Sequence, residues 1–313
     1  MTQTIYKEVY FEISGICNAR CPFCVTGTRR LPQGDFISVD LFEKSIDKLI
    51  EEKLIDRRSC IFLYNWGEPF LHPDIDNIIE YVNKREINFA LSSNASVYKE
   101  FKVKDVEKLH EISFSMSGFS QFSYDRIHGF RFENIKKNIA KFAENLKKVG
   151  YRNKVKIFFH IYQFNLDEII LAKEFAKSID ADFVPYYAFI ADYDKAKNYL
   201  LNRLSIAEMR SLAESLVLAD MVQKIKMMPS NYRCPQYEIL VLDEKADILT
   251  CCFLPKDHPD YYCGSLFDRK LREKLKAKTG KNECKFCLES GLSHCVHNIT
   301  IPEFCNFLMN IEM

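Results

Sequence analysis

From residue 8 to about 222, short apolar runs rich in β-branched and aromatic residues alternate with amphipathic stretches, and this rhythm predicts strand and helix in turn. The predicted strands cover 9–13, 60–64, 87–91, 112–116, 155–161 and 182–187. Helical spacing fills the intervals at 39–53, 75–84, 103–109, 132–149 and 166–179. The clearest stripe lies in the fourth of these, where Ile135, Ile139, Phe142, Leu146 and Val149 share one face and Gly150 closes the helix. Such stripes are core-forming positions.

Six βα units joined by right-handed crossovers make a parallel sheet with helices outside, and a closed eight-unit barrel would need a longer chain. The expected fold class is therefore α/β, a partial (βα)6 TIM-like barrel followed by a small cysteine-rich C-terminal domain. A last helix at 206–223 precedes the turn Pro229-Ser230-Asn231, dividing the chain into 1–225 and 226–313. The second part shows a strand at 239–242, a turn at 243–246 and little periodicity beyond, as expected of a segment that folds around metal. In sheets of this kind ligands sit beyond the carboxyl ends of the strands.

Composition narrows the function. Lysine and arginine (44) nearly balance aspartate and glutamate (43) in 313 residues, so the overall charge calls for neither nucleic acid nor an anionic membrane. The first residues, MTQTIYKEVYFEI, have no signal-peptide pattern, and no uncharged run approaches the ~20 apolar residues of a membrane span. A cytoplasmic location follows as the expectation. There, 12 cysteines would not be kept as disulfides and read as metal or cluster ligands. They fall in two regions, four before residue 61 and eight between Cys234 and Cys305.

The first group contains Cys17, Cys21 and Cys24 in a C-x3-C-x2-C loop directly after the first predicted strand. Three thiolates can hold three irons of a four-iron cubane and leave the fourth open to a small molecule. Structural zinc prefers four Cys or His ligands in paired knuckles, which this loop lacks.

The loop resembles that of radical S-adenosylmethionine (radical SAM) enzymes. Later segments carry the same likeness. Asn65-Trp66-Gly67-Glu68-Pro69 is similar to the family's Gly-Gly-Glu-Pro turn, with Trp66 in place of the first glycine. Ser93 and Asn94 stand where the family has residues near the SAM ribose. Ser115-Met116-Ser117-Gly118 resembles Ser-x-Asp-Gly, with Ser117 replacing the aspartate, and Tyr124 to Gly129 resembles Tyr-Asp-x-Ile-Arg-Gly, with His128 in the arginine's place. The resemblance implies SAM binding by Trp66, Gly67, Glu68, Ser93, Asn94 and Ser115, leaving Arg126 and Arg131 as candidate partners for the SAM carboxylate. It implies reductive cleavage of SAM to a 5'-deoxyadenosyl radical on a [4Fe–4S] cluster held by Cys17, Cys21 and Cys24, the electron coming from a donor such as flavodoxin or ferredoxin.

The tail resembles the auxiliary-cluster domain called SPASM, or its one-cluster form called Twitch. This implies one auxiliary [4Fe–4S] cluster on Cys234, Cys251 or Cys252, Cys284 and Cys287, with the spare cysteine of the adjacent pair a candidate hydrogen donor in catalysis. A second auxiliary cluster would draw on Cys295 and Cys305, at a spacing that departs from the SPASM pattern. A zinc knuckle of Cys284, Cys287, His294, Cys295 and His297 is the competing reading. The single-cluster pattern and the short segment before Cys17 favour hydrogen abstraction from a small polyol (a sugar, aminocyclitol or nucleotide sugar), oxidising or epimerising one carbon. The alternative is a peptide- or protein-modifying SPASM maturase. The non-enzyme alternative is a metal-binding interaction protein.

Overall fold

The computed structural model describes residues 5–28 and 32–298, so Cys305 lies outside the described residues. Six parallel strands, β1 (Glu8–Phe11), β2 (Cys60–Phe62), β3 (Asn88–Ser93), β4 (Leu109–Met116), β5 (Lys156–Ile161) and β6 (Asp182–Tyr187), pair in sequence order. Beyond β1 the same sheet continues with β7 (Ile239–Leu242), parallel to β1, and then with the antiparallel β8 (Asp247–Leu249) and β9 (Tyr262–Ser265). Each barrel strand alternates. In β1, Val9 and Phe11 are buried on the outer face, where the Phe11 ring meets Phe42 at 5.3 Å. Tyr10, on the opposite face, stacks on Phe62 at 4.5 Å.

The outer layer comprises α1 (Val39–Glu51), α2 (Ile75–Lys84), α3 (Gln121–Arg126), α4 (Phe132–Lys148) and α5 (Ile169–Ser178). Their apolar stripes face the sheet, as Ile135, Ile139, Phe142 and Leu146 do from α4, each such side chain contributing roughly 1.5–3 kcal/mol when fully buried. Ser38 caps α1 by accepting the Leu41 N–H at 3.2 Å. Next come α6 (Tyr193–Leu200), α7 (Ile206–Ser215), α8 (Leu218–Lys226), α9 (Leu271–Ala277), α10 (Asn282–Glu289) and α11 (Leu292–His297). A second apolar cluster, including Phe23, Tyr162, Ile190, Tyr193, Leu254 and Leu292, joins the barrel mouth to the cysteine-rich tail.

Three expectations change. The helix expected at 103–109 is a single 3-10 turn, Val103–Asp105, because Asp105 folds back to accept the Lys102 N–H at 2.8 Å. The helix expected at 206–223 breaks at Leu216, which is extended. There the Gln163 side-chain amide donates to the carbonyls of Ala213 (2.6 Å) and Leu216 (2.9 Å) and draws off the end of α7. The tail has its expected strand at 239–242 as β7, but where little periodicity was expected beyond it, β8, β9 and three helices follow among its described residues.

Candidate functional site

The register of β1 against β2 and β7 sets their carboxyl ends side by side. The loop bearing Cys17, Cys21 and Cys24 leaves β1 there, and the Asn65-Trp66-Gly67-Glu68 turn follows β2. The two are joined backbone to backbone, with the Glu68 N–H donating to the Ile16 carbonyl at 2.8 Å. Gly67 is required by this approach, since a Cβ on it would lie 1.7 Å from the Ser14 carbonyl oxygen.

A buried carboxylate stands behind the turn. Glu12, just past β1, accepts the backbone N–H groups of Asn65 (3.3 Å), Trp66 and Gly67 (3.1 Å). Burial pushes Glu12 up to about 8, against the opposing pull of the Trp66 N–H. With their N–H groups held from behind, these three residues are fixed in orientation. Glu68 is buried too and plays a similar part. Its side chain accepts from the Phe70 N–H (3.1 Å), the Ser93 hydroxyl (2.8 Å) and the Asn94 N–H (2.7 Å), and burial raises it to about 7. Glu68, Ser93 and Asn94 thus form one network, and the Asn94 amide reaches the Cys17 sulfur at 3.9 Å.

Cys21 and Cys24 line a cavity of about 190 Å³ together with Ser115, Ser117, His128, His160, Tyr162 and Tyr186. Four of these are hydrogen-bonded in series. The Tyr186 hydroxyl meets His160 Nε2, His160 Nδ1 lies 2.7 Å from the Ser117 hydroxyl, Ser117 lies 2.8 Å from His128 Nε2, and His128 Nδ1 lies 3.5 Å from the Cys21 sulfur. Burial lowers His128 to about 4 and His160 to about 3.

Neither arginine named for the SAM carboxylate lines this cavity. The Arg126 guanidinium lies over the Phe122 and Phe164 rings, 5.0 and 4.8 Å from their centroids, and Arg131 borders a shallow groove with Gln121 and Asp125. Glu12, His160 and Tyr186 escaped the sequence reading. Their signal was a polar residue on the inward phase of a strand near its carboxyl end, where the outward phase is apolar, as with Ile157, Phe159 and Ile161 around His160.

In the tail, Cys234, Cys251, Cys284 and Cys287 line one pocket with Tyr193 and Tyr237. Cys252 does not line it, and its backbone N–H is taken by Gln236 Oε1 at 3.1 Å. Burial raises the thiols of Cys251 to about 11 and Cys252 to about 12. His294, a member of the zinc alternative, turns Nδ1 to the Lys224 carbonyl at 2.8 Å. Among the described residues no three or more His, Cys, Asp and Glu side chains gather as a single-ion site. A cubane instead takes one thiolate per iron around a common space; the four tail cysteines line such a space, and Cys21 and Cys24, without Cys17, line the other.

A model of the family described as "Radical SAM superfamily" matches residues 11–176. The chain is 28% identical over 103 residues to a tungsten-containing aldehyde ferredoxin oxidoreductase cofactor-modifying protein of Pyrococcus furiosus, covering 33% of this chain and 28% of that one. It is 19% identical over 283 residues to the antilisterial bacteriocin subtilosin biosynthesis protein AlbA of Bacillus subtilis, covering 85% of this chain and 60% of that protein. It thus spans less than two thirds of the length of either relative. In fold it is similar to Streptococcus suis SuiB, solved bound to precursor peptide SuiA, with a TM-score of 0.59 at 18% identity over 93% of this chain and 71% of that one. The tail falls within that shared fold.

These matches overturn the expectation of a small polyol and of a small-molecule partner: one description names a precursor peptide, another a bacteriocin, and none a sugar or cyclitol. The polyol reading had rested on tail spacing and on the short segment before Cys17, and neither feature specifies a substrate class.

Proposed function

Since the chain belongs to the radical SAM superfamily, we propose that it is a peptide-modifying enzyme that abstracts hydrogen from a polypeptide substrate at the mouth of its barrel. Enzyme class and cofactors follow from the family: a [4Fe–4S] cluster and S-adenosylmethionine. When bound, these supply one electron to the SAM sulfonium and yield a 5'-deoxyadenosyl radical, and an auxiliary cluster in the tail supplies a one-electron acceptor.

The protein's own part is placement. Cys17, Cys21 and Cys24 hold the first cluster. The turn Asn65 to Gly67, pinned by Glu12, presents backbone groups to the methionine end of SAM, while Glu68 braces Ser93 and Asn94. Ser115 and the aromatic rings of Tyr162 and Tyr186 form the cavity wall. In the tail, Cys234, Cys251, Cys284 and Cys287 hold the auxiliary cluster, and Cys252 is the thiol of the adjacent pair left outside. The electron donor is a flavodoxin- or ferredoxin-class protein. Among the described residues, no helix is long and apolar enough to cross a membrane.

The observation that carries this reading is the convergence of Cys21, Cys24 and Ser115 on one cavity at the sheet's carboxyl edge, on a fold shared with a structure solved with its precursor peptide. The test is deuterium transfer. Anaerobically reconstituted protein, reduced and given SAM, is offered a library of deuterated peptides. The expected result is deuterium in 5'-deoxyadenosine and a peptide product of altered mass. Fully loaded protein that cleaves SAM but takes no deuterium from any such peptide would reject the peptide reading.

A further inference from the structure

We propose that Tyr186, His160, Ser117 and His128 form a one-way hydrogen-bond chain that ends as an N–H donor on the Cys21 sulfur and raises the reduction potential of the cluster bound there. The inference rests on Cys21 being an iron ligand, and it goes beyond the reading above by giving four side chains a common electronic task.

The direction follows from counting hydrogens. A ligating thiolate has none, so at the 3.5 Å contact with Cys21 the hydrogen belongs to His128 Nδ1. No carboxylate, lysine or arginine is among the residues that line the cavity beside the buried His128, and the hydrogen-bond chain takes this ring with one hydrogen, at Nδ1. His128 Nε2 is then an acceptor, and the Ser117 hydroxyl donates to it across 2.8 Å. A hydroxyl has one hydrogen, so Ser117 must accept at its other contact, and His160 Nδ1 donates to it across 2.7 Å. His160 Nε2 is left as an acceptor, and the Tyr186 hydroxyl supplies the last hydrogen. Every link is fixed once the end at Cys21 is fixed.

Hydrogen bonds donated to cluster sulfurs stabilise the extra negative charge of the reduced state and so raise the potential. Links in series polarise one another, so a distant member contributes through its neighbour. These are positioning residues: only His128 touches the ligand sulfur. The two departures from the family-like pattern, Ser117 for aspartate and His128 for arginine, thereby acquire one explanation, since an anion and a cation at these positions could not form a neutral chain of single donors.

The test is a redox titration of the reconstituted full chain, following the electron paramagnetic resonance signal that changes on SAM addition. Two variants are compared with wild type at equal iron content. Ser117→Ala removes the donor that holds His128 in its Nδ1–H form. Its midpoint should fall by the equivalent of about tenfold in the reduction equilibrium, about 59 mV for a one-electron couple. Tyr186→Phe, three links from the sulfur, should shift the midpoint in the same direction by less. Wild-type midpoints in both would overturn the proposal, and if Ser117→Ala does not load iron, Tyr186→Phe decides alone. An iron count unchanged by Cys21→Ser would instead overturn the ligand assignment, and this inference with it.

Discussion

Replacing Gly67 by alanine tests the geometry of the site at its tightest point. The new Cβ would sit 1.7 Å from the Ser14 carbonyl oxygen, 2.8 Å from its carbon and 2.9 Å from the Ile16 carbonyl oxygen. A carbon and an oxygen in close contact stand about 3.3 Å apart, so the turn and the cysteine loop must separate by about 1.6 Å. Both neighbours are backbone, and no side-chain rotation relieves the clash. The separation breaks the bond from the Glu68 N–H to the Ile16 carbonyl and moves the turn proposed to hold SAM away from the loop proposed to hold the cluster. A misplacement of about 1 Å can cost roughly 100-fold in rate, so 5'-deoxyadenosine formation should fall by about that factor or more. SAM affinity, measured by calorimetry on loaded protein, should weaken in parallel. Ile13, Leu63 and Phe70 of the main core adjoin these segments in the chain, so iron content and the thermal unfolding midpoint are measured alongside and the comparison is made at equal iron content. A variant with full iron whose SAM affinity and cleavage rate stay within about threefold of wild type would refute the argument.

Two further outcomes follow from the burial of charge and thiols. Cys251→Ser should remove iron equivalent to up to one cubane, about four atoms, while Cys252→Ser should leave the count unchanged, because Cys251 and not Cys252 faces Cys234, Cys284 and Cys287 across their pocket; equal losses in an iron assay would contradict that assignment. For pH, the buried carboxyls of Glu68 and Glu12 are raised from 4.5 to about 7 and about 8, so the folded state keeps protons that the unfolded chain releases. Their stabilising contribution is whole below about pH 4.5 and is lost as the pH rises through 7 to 8. Glu68 alone accounts for up to about 3 kcal/mol, so the urea midpoint should fall between about pH 5 and pH 8.5, and Glu68→Gln should flatten the fall. A midpoint that rises over this interval would reverse the sign and sink the reasoning.

The βα rhythm was legible because packing against a sheet imposes period on both partners. Phe11 against α1 and the Ile135 to Leu146 stripe of α4 are written locally. What escaped depends on distant partners. The break after α7 comes from Gln163, about 50 residues earlier, and no local propensity at Leu216 announces it. Likewise, β8 and β9 are short, and they are strands because β7 offers an edge to β8 and β8 in turn offers one to β9. The cysteine loop and the turn at Gly67 stood out in the sequence because each is a contiguous segment with its own spacing. Glu12, His160 and Tyr186 could not, since a single inward polar residue in a strand carries no spacing, and its meaning appears only with its distant partners, the Trp66 turn for Glu12 and the Ser117 cavity for the other two.

The same geometry explains how two cysteine groups more than 200 residues apart can serve one reaction. Strand β1 lies between β2, which leads to the Gly67 turn, and β7, which opens the tail. Glu244, just past β7, is buried and paired with Lys256 at 2.7 Å. It accepts the Asp35 N–H at 3.4 Å and packs so closely on the loop that a Cβ at Gly34 would lie 2.1 Å from its oxygen. Gly34 in turn donates to the Gly15 carbonyl at 2.8 Å, two residues before Cys17. A second tie lies beside the other cysteine group, where Lys197 of α6 meets Glu283 at 2.8 Å, next to Cys284. Domains joined by a flexible linker move relative to one another by default; here a shared sheet and two buried or half-buried ion pairs oppose that motion. On the proposed function, hydrogen abstraction at the barrel mouth and electron acceptance in the tail would proceed on one framework, whose two parts are also joined by the apolar cluster that includes Phe23, Tyr162 and Leu254.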